Sequence, residues 1–245
     1  MARPREHLQN APIVEAVIDF RVPRQEHVSA ETFANIGSFL GEHYRKSGSI
    51  QSIEARFGVV QGRAMDPQQM QTNLGWRYQT ASEIAQFSMD GFTFSKIKPY
   101  TTWGEVSSEA FRLWKVYANL AKPRQVSRVG VRYINRMPLP DVKDLGEYLE
   151  APPRLPEPIP QSVRDFLTRV HVRDDRRNAS AIIVQALELR NEPNAISLLL
   201  DIDAFSEVNE APDFPGLTSI FEQLRQLKNA IFFASITDKT AEIYA

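Results

Sequence analysis

Apolar and polar side chains alternate between Ile13 and Val22, a pattern that predicts a β-strand with one buried face. Val14, Ala16, Ile18 and Phe20 fall on that face, whereas Glu15, Asp19 and Arg21 fall on the other. Similar patterns predict further strands at residues 53–59, 74–80, 83–89, 92–98, 126–137, 179–190 and 195–205. Asp90-Gly91 suits a two-residue hairpin turn. The chain is therefore predicted to form a largely antiparallel, twisted sheet.

Other segments show the three-to-four-residue spacing of amphipathic helices. The clearest is 104–121, which places Val106, Ala110, Leu113, Trp114 and Tyr117 on one stripe. A second helix is predicted to begin at Pro215, with the apolar stripe Leu217, Ile220, Phe221, Leu224, Leu227 and Ile231. Further helices are predicted from Ser29 to Gly48, from Gln161 to Val172 and, as a short patch, from Asp141 to Leu149.

Together these patterns predict an α+β fold with two β-rich halves, each backed by long amphipathic helices. Residues 138–160 are rich in proline and are interpreted as a connector or a belt across the surface. The halves would then be 1–137 and 161–245, packed into one compact unit.

Composition narrows the classes of protein that the chain can belong to. Lysine and arginine total 29 against 30 acidic residues, so there is no overall positive field to attract nucleic acid or an anionic membrane. The chain has no cysteine, which excludes disulfides, thiolate zinc sites and cysteine nucleophiles. It shows no signal peptide and no long apolar run. We expect a cytoplasmic protein that does not bind membranes.

Four segments, taken together, resemble a sporadically distributed and functionally uncharacterised prokaryotic protein family. They are LQNAPIVEAVIDF (Leu8 to Phe20), QFSMDGFTFSKIKPYTTW (Gln86 to Trp103), RVGVRYIN (Arg128 to Asn135) and FFASIT (Phe232 to Thr237). Gly91 and Ser95-Lys96 depart from the commoner pattern, so the chain resembles a divergent branch. The resemblance implies a single fold, and it implies no activity, cofactor or catalytic residue. The patchy distribution suggests toxin–antitoxin or phage-defence genes.

Arg128, Arg132 and Arg136 form the sharpest local feature, because residues four apart in a strand lie on the same face. Such a row suits a phosphate-bearing ligand or a nucleic-acid backbone, since guanidinium groups bind phosphate with paired donors. Arg56, Lys96 and Lys98 are candidates to extend it. The alternative is that Glu15, Asp19 and Glu54 neutralise the arginines by cross-strand ion pairs on an exposed sheet surface.

Two further groups of side chains have candidate binding roles. Aromatic residues cluster around the central hairpins, and Tyr100 and Trp103 are candidates to stack on bases or on a flat ligand, although core packing also explains the cluster. Asp201, Asp203 and Glu188 share a strand face and are weak candidates for holding Mg²⁺. The four histidines show no metal-ligand spacing. No cofactor is predicted, and the common hydrolase, phosphate-loop and dinucleotide motifs are absent.

These observations favour a non-catalytic binding or regulatory protein that acts through a protein partner. Two alternatives stay open: an enzyme or binder of a phosphorylated or nucleotide ligand that uses the arginine row, and a protein that binds single-stranded nucleic acid through arginines and aromatic rings. An open sheet edge would also allow a homodimer.

Overall fold

The computed structural model describes residues 8–56, 59–60, 63–64, 68–139, 144–189, 196–213 and 215–245. Its strands are β1 (Ile13–Arg21), β2 (Arg45–Arg56), β3 (Val59–Val60), β4 (Arg63–Ala64), β5 (Gln68–Gln79), β6 (Glu83–Ser88), β7 (Gly91–Ile97), β8 (Val126–Leu139), β9 (Leu167–Asp174), β10 (Ala179–Leu189) and β11 (Ile196–Glu210). Its helices are α1 (Gly37–Leu40), α2 (Trp103–Ala121), α3 (Leu217–Ser235) and α4 (Asp238–Ile243), with 3₁₀ turns at Ala30–Phe33 and Leu145–Glu147.

Nine strands form one continuous antiparallel sheet in the order β2-β5-β6-β7-β1-β8-β11-β10-β9, and β3 and β4 pair separately. The first strand lies near the centre, where Ile18 is opposite Phe94 of β7 on one side and opposite Val131 of β8 on the other. The predicted α+β class and antiparallel sheet are confirmed. The division into two separately backed halves is not seen, because strands from both sides of residues 138–160 share this sheet.

Both long helices cover the same face of the sheet, which we call the helix face. Phe20 of β1 lies at the centre of its core: its ring stacks on Trp114 of α2, with ring centroids 4.3 Å apart, and contacts Phe221 of α3 at 4.8 Å. All three rings are at least 97% buried. Large aromatic side chains bury the most apolar area, so this cluster is the main anchor of the helices on the sheet. The stripe predicted for 104–121 is confirmed.

A second, smaller core joins the end of the chain to β8 and β11. Leu198, Leu200 and Ile202 of β11 are fully buried there, together with Met137 of β8 and Phe232 of α3. Main-chain hydrogen bonds hold this end: the Thr237 amide donates to the Tyr148 carbonyl, and the Asn10 amide donates to the Tyr244 carbonyl. The tail is therefore fixed to the sheet beside the start of β1.

Two predicted helices are wrong. The segment from Ser29 to Gly48 forms only the 3₁₀ turn, α1 and the start of β2, because Gly41, with a φ of +105°, ends α1. The predicted helix from Gln161 to Val172 is replaced by irregular backbone at residues 161–166 and by the start of β9, which begins at Leu167 and pairs with β10. The patch at 141–149 contains only the 3₁₀ turn from Leu145, and residues 141–143 lie outside the described residues.

The hairpin between β6 and β7 turns at Met89-Asp90, one residue earlier than predicted, because Ser88 is opposite Gly91. Gly91 begins β7 with a φ of +154°. A Cβ atom there would lie 2.2 Å from the carbonyl oxygen of Phe20 on the neighbouring strand. Only glycine therefore permits β1 and β7 to approach each other at this point.

Candidate functional site

The three arginines of the predicted row do share one face of β8, opposite the helix face; we call it the charged face. Their neighbours in the strand, Val129, Val131 and Tyr133, point to the helix face and are buried. Arg128 and Arg132 are engaged by carboxylates on the adjacent strands β1 and β11, and Arg136 is engaged by Glu188 of β10, one strand further away. The row is therefore a series of cross-strand ion pairs.

Arg128 lies flat across the sheet between two carboxylates. Its Nη1 donates to Oδ2 of Asp19 at 2.7 Å and its Nη2 donates to Oδ2 of Asp203 at 3.1 Å. Its guanidinium also lies 4.4 Å from the ring centroid of Phe205. Gly130 makes room for this arrangement, since a Cβ there would lie 3.2 Å from Nη1. Burial raises the pKa of Asp203 above its usual value, an effect that Arg128 opposes.

The other two arginines are more exposed but also paired. Arg132 donates from Nε and Nη2 to the two carboxylate oxygens of Asp201, at 2.8 and 2.6 Å. Arg136 makes the same kind of contact with Glu188, at 3.0 and 3.4 Å. Of the predicted partners, Asp19 pairs with Arg128; Asp201, Asp203 and Glu188 come instead from β10 and β11. The Glu54 side chain lies outside the described residues.

Of the residues predicted to extend the row, the two lysines do not join it. Lys96 is opposite Ala16 on the helix face, where its Nζ lies 3.1 Å from Oε1 of Glu83. Lys98 is exposed beyond the end of β7, and the Arg56 side chain lies outside the described residues. Tyr100 and Trp103 line a cavity on the helix face. The arginines and these two aromatic rings therefore lie on opposite sides of the sheet.

The candidate metal ligands are also accounted for by the ion pairs. Asp201, Asp203 and Glu188 face arginines, and within the described residues no group of three or more His, Cys, Asp or Glu side chains is placed to hold a metal ion.

A cavity of about 190 Å³ lies between β8, the start of β1, the N-terminus of α2 and one side of α3. Apolar side chains form much of its wall, among them Ile13, Trp103, Phe232 and Phe233. Its polar wall residues are Tyr100, Thr101, Thr102, Tyr133, Asn135, Arg225, Lys228 and Asn229. Among the described residues, this wall contains two cationic side chains and no carboxylate.

Lys228 is the unusual residue of this cavity, because it is only 6% exposed. Its Nζ lies 3.6 Å from the ring centroid of Tyr133, and among the described residues it has neither a hydrogen-bond acceptor nor an ion-pair partner. Burial, aided by the nearby positive charge of Arg225, lowers the pKa of Lys228 to about 7. The cavity therefore contains a buried amine that exchanges its proton near neutral pH.

The other ionisable groups around Lys228 hold their usual charge. The hydroxyls of Tyr100 and Tyr133 are 2.9 Å apart, and burial raises the pKa of both phenols, so both stay neutral. Arg225 donates to both oxygens of Glu222, a hydrogen bond that raises the pKa of Arg225 and lowers that of Glu222. Since Glu222 neutralises Arg225, Lys228 is the uncompensated charge among the described residues of the site.

All four segments that carry the family resemblance contribute wall residues to this cavity. They supply Ile13, Tyr100, Tyr133 and Phe232, among others. Sequence patterns alone did not indicate Lys228, Arg225 or Asn229. The sequence did contain one indication that Lys228 is buried, since it falls on the buried stripe of α3 at the spacing of Phe221 and Leu224.

Strand β9 is one edge of the sheet, and it is exposed on both faces. Arg169, His171 and Arg173 alternate with Val170 and Val172 along it. The two valines are 51% and 37% exposed, and Leu167 is 71% exposed. Such an edge leaves main-chain hydrogen-bonding groups available to a further strand.

No known protein-family model matches the chain, and no curated protein matches it. Within the described part of the chain, no helix combines the length and apolar character needed to cross a membrane.

Proposed function

We propose that the protein is a non-catalytic binding protein that adds an extended segment of a protein partner to the edge strand β9. One observation carries the proposal: β9 pairs with β10 on its inner side, while apolar and basic side chains alternate in solvent along its length. Strand addition of this kind obtains affinity from main-chain hydrogen bonds and specificity from alternate side chains.

The charge of this edge favours an acidic partner. Residues 164–177 contain five arginines against three aspartates. Arg173 contacts Asp175 and Arg177 contacts Asp174, whereas no ion pair engages Arg169 in the described residues. A partner strand with acidic residues on one face and apolar residues on the other would complement both sides of β9.

The same pattern disfavours a second copy of the chain. Antiparallel pairing of β9 with itself places residues of the same face opposite each other. Arg169, His171 and Arg173 of one copy would then face the same basic residues of the other, and like charges directly opposite in a sheet are destabilising. A homodimer through this edge is therefore the weaker alternative.

Peptide binding tests the proposal. We expect a labelled ten-residue peptide that alternates Glu and Val to bind, measured by fluorescence anisotropy, and a Lys–Val peptide to bind much more weakly. Arg169→Glu with Arg173→Glu should weaken Glu–Val binding by about tenfold, since each charge pair contributes up to about 1 kcal/mol. The matched control is Arg24→Glu with Arg124→Glu, two exposed arginines outside β9.

Backbone methylation separates strand addition from simple charge attraction. A Glu–Val peptide whose alternate backbone nitrogens are methylated keeps its charge but loses donors for one edge. Equal binding of the methylated and unmethylated peptides, or of the Glu–Val and Lys–Val peptides, would contradict the proposal.

The ligand-binding alternatives have less support, because the arginine row is already paired with carboxylates. A phosphate would have to displace Asp201 from a two-point contact with Arg132. We expect nucleotides and single-stranded oligonucleotides to bind the wild type no more tightly than the Arg132→Ala, Arg136→Ala double variant in filter-binding assays. A clear loss of binding in the double variant would restore the phosphate hypothesis.

Membership of the uncharacterised family, and a role beside a toxin or in phage defence, stay predictions. Cotranscription with a gene for a toxin or nuclease that contains an acidic, strand-forming segment would link that prediction to the β9 edge.

A further inference from the structure

We propose that the cavity around Lys228 is a binding site for a small organic carboxylate with an apolar body, whose anionic group is bound by the Lys228 ammonium. This inference goes beyond partner binding at β9 and does not depend on it.

The first step is the charge of the site. A buried ammonium without a carboxylate or hydrogen-bond acceptor is costly, because burial removes its hydration. Among the described residues, the Lys228 ammonium contacts the ring of Tyr133 and has no hydrogen-bond acceptor. Asn135 and Asn229 also line the cavity, but neither is hydrogen-bonded to Lys228. An anion in the cavity would supply the missing partner.

The second step is the orientation of α2. Thr101, Thr102 and Trp103 line the cavity where this 19-residue helix begins, and the Thr102 side chain caps it by accepting from the Glu105 amide. The N-terminus of a helix carries partial positive charge and favours an anion nearby. It acts here in the same direction as Lys228.

The third step is the number of charges. Glu222 holds Arg225 with two hydrogen bonds, so the part of the site that the structure describes offers one uncompensated cation. This matches a monoanion. A phosphate monoester carries nearly two negative charges near neutral pH and would lack a second cation. A carboxylate is therefore favoured over a phosphate.

The fourth step is size and polarity. A cavity of about 150 Å³ lined by apolar side chains can hold benzene, and this cavity is about 190 Å³. Ile13, Trp103, Phe232 and Phe233 provide an apolar wall for the body of the ligand. A molecule of the size of benzoate fits these limits.

Calorimetric titration with benzoate, phenyl phosphate and neutral benzamide tests the inference. We expect benzoate to bind the wild type, and Lys228→Met to weaken it by about tenfold or more, since a charge-assisted hydrogen bond is lost. Lys115→Met, the same change on the exposed side of α2, is the matched control and should bind like the wild type. A thermal unfolding curve for each variant confirms that it is folded.

Proton uptake gives an independent measurement. Near pH 7.5 much of Lys228 is neutral, so binding of an anion should draw a proton onto it, and the measured heat should vary with the ionisation enthalpy of the buffer. At pH 5.5 the amine is already charged and the buffer dependence should disappear. Affinity should fall as the pH rises above 7.

The inference would be overturned by equal binding of benzamide and benzoate, by tighter binding of phenyl phosphate than of benzoate, or by failure of benzoate to bind at millimolar concentration. Benzoate binding that survives Lys228→Met would also overturn it, because Lys228 is the residue that defines the site.

Discussion

Replacing Lys228 with methionine is expected to raise the free energy of unfolding by several kcal/mol at pH 7. In the unfolded chain a lysine keeps a pKa of about 10.4, whereas in the folded protein burial lowers it to about 7. Each pKa unit corresponds to about 1.4 kcal/mol. The contact with Tyr133 offsets only part of this cost, because a cation over an aromatic ring contributes about 0.5 to 2 kcal/mol. Methionine fills a similar space and carries no charge.

The pH dependence has a definite sign. Between pH 7 and 10 the unfolded state holds a proton that the folded state has released, so the stability of the wild type should rise with pH in this range. The Lys228→Met variant should lack this rise. Urea denaturation at pH 7, 8 and 9 measures both effects below the range where tyrosines ionise in the unfolded chain. A variant less stable than the wild type, or one with an unchanged slope, would contradict the assignment of Lys228 as an unpaired buried amine.

Replacing Arg128 with methionine is expected to lower the free energy of unfolding by about 2 to 3 kcal/mol at pH 7. Asp19 is 8% exposed and Asp203 is partly buried. Both carboxylates would lose the cation that lies between them. Arg136→Met is the matched control, since its ion pair with Glu188 is largely exposed and should contribute less than about 1 kcal/mol.

Lowering the pH should reduce the loss of folding stability that Arg128→Met causes. The pKa of Asp203 is already raised by burial, and removal of Arg128 raises it further. An acid whose folded pKa exceeds its unfolded value loses folding stability as the pH rises through that window. The difference between variant and wild type should therefore be small near pH 4 and grow toward neutrality. Asp203→Asn in the variant background should recover part of the loss. Equal losses for Arg128→Met and Arg136→Met, or a loss independent of pH, would contradict the stabilising role of Arg128 between Asp19 and Asp203.

The parts of the fold that periodicity predicted well are those in which burial alone decides the structure. In β1, Ala16, Ile18 and Phe20 are fully buried as their alternation indicates. The same is true of the apolar stripe of α2, and the strands predicted at 179–190 and 195–205 are present as β10 and β11. In each case one face meets the core and the other does not, so the sequence carries the pattern directly.

The secondary-structure predictions that failed concern segments whose apolar residues fit helical spacing as well as other backbone conformations. Val163, Phe166, Leu167 and Val170 have helical spacing, yet Leu167 to Asp174 forms a strand because β10 offers a pairing partner that no local pattern reveals. Phe33, Ile36, Leu40 and Tyr44 are all buried as predicted, although two glycines divide the segment and no long helix forms. Burial was predictable there, and the backbone conformation was not.

The candidate site was only half predictable. The side chains of Arg128, Arg132 and Arg136 share a face, as spacing requires, but the carboxylates that engage them come mainly from β10 and β11. Which strands adjoin β8 depends on topology, which spacing does not encode. Lys228 was missed because lysine is almost always exposed, and only the complete fold shows that it is surrounded.

The central position of β1 has a consequence for synthesis on the ribosome. In the sequence, five other strands (β2 to β6) come between β1 and its first neighbour, β7, and its second neighbour, β8, is made only after α2. The aromatic ring that covers Phe20 from α3 is translated later still. Until then a nascent chain presents an unpaired strand with a large apolar side chain to its surroundings, a state prone to aggregation. Completion of the native sheet must therefore wait for translation of β11, and assistance from a chaperone should raise the yield of folded protein.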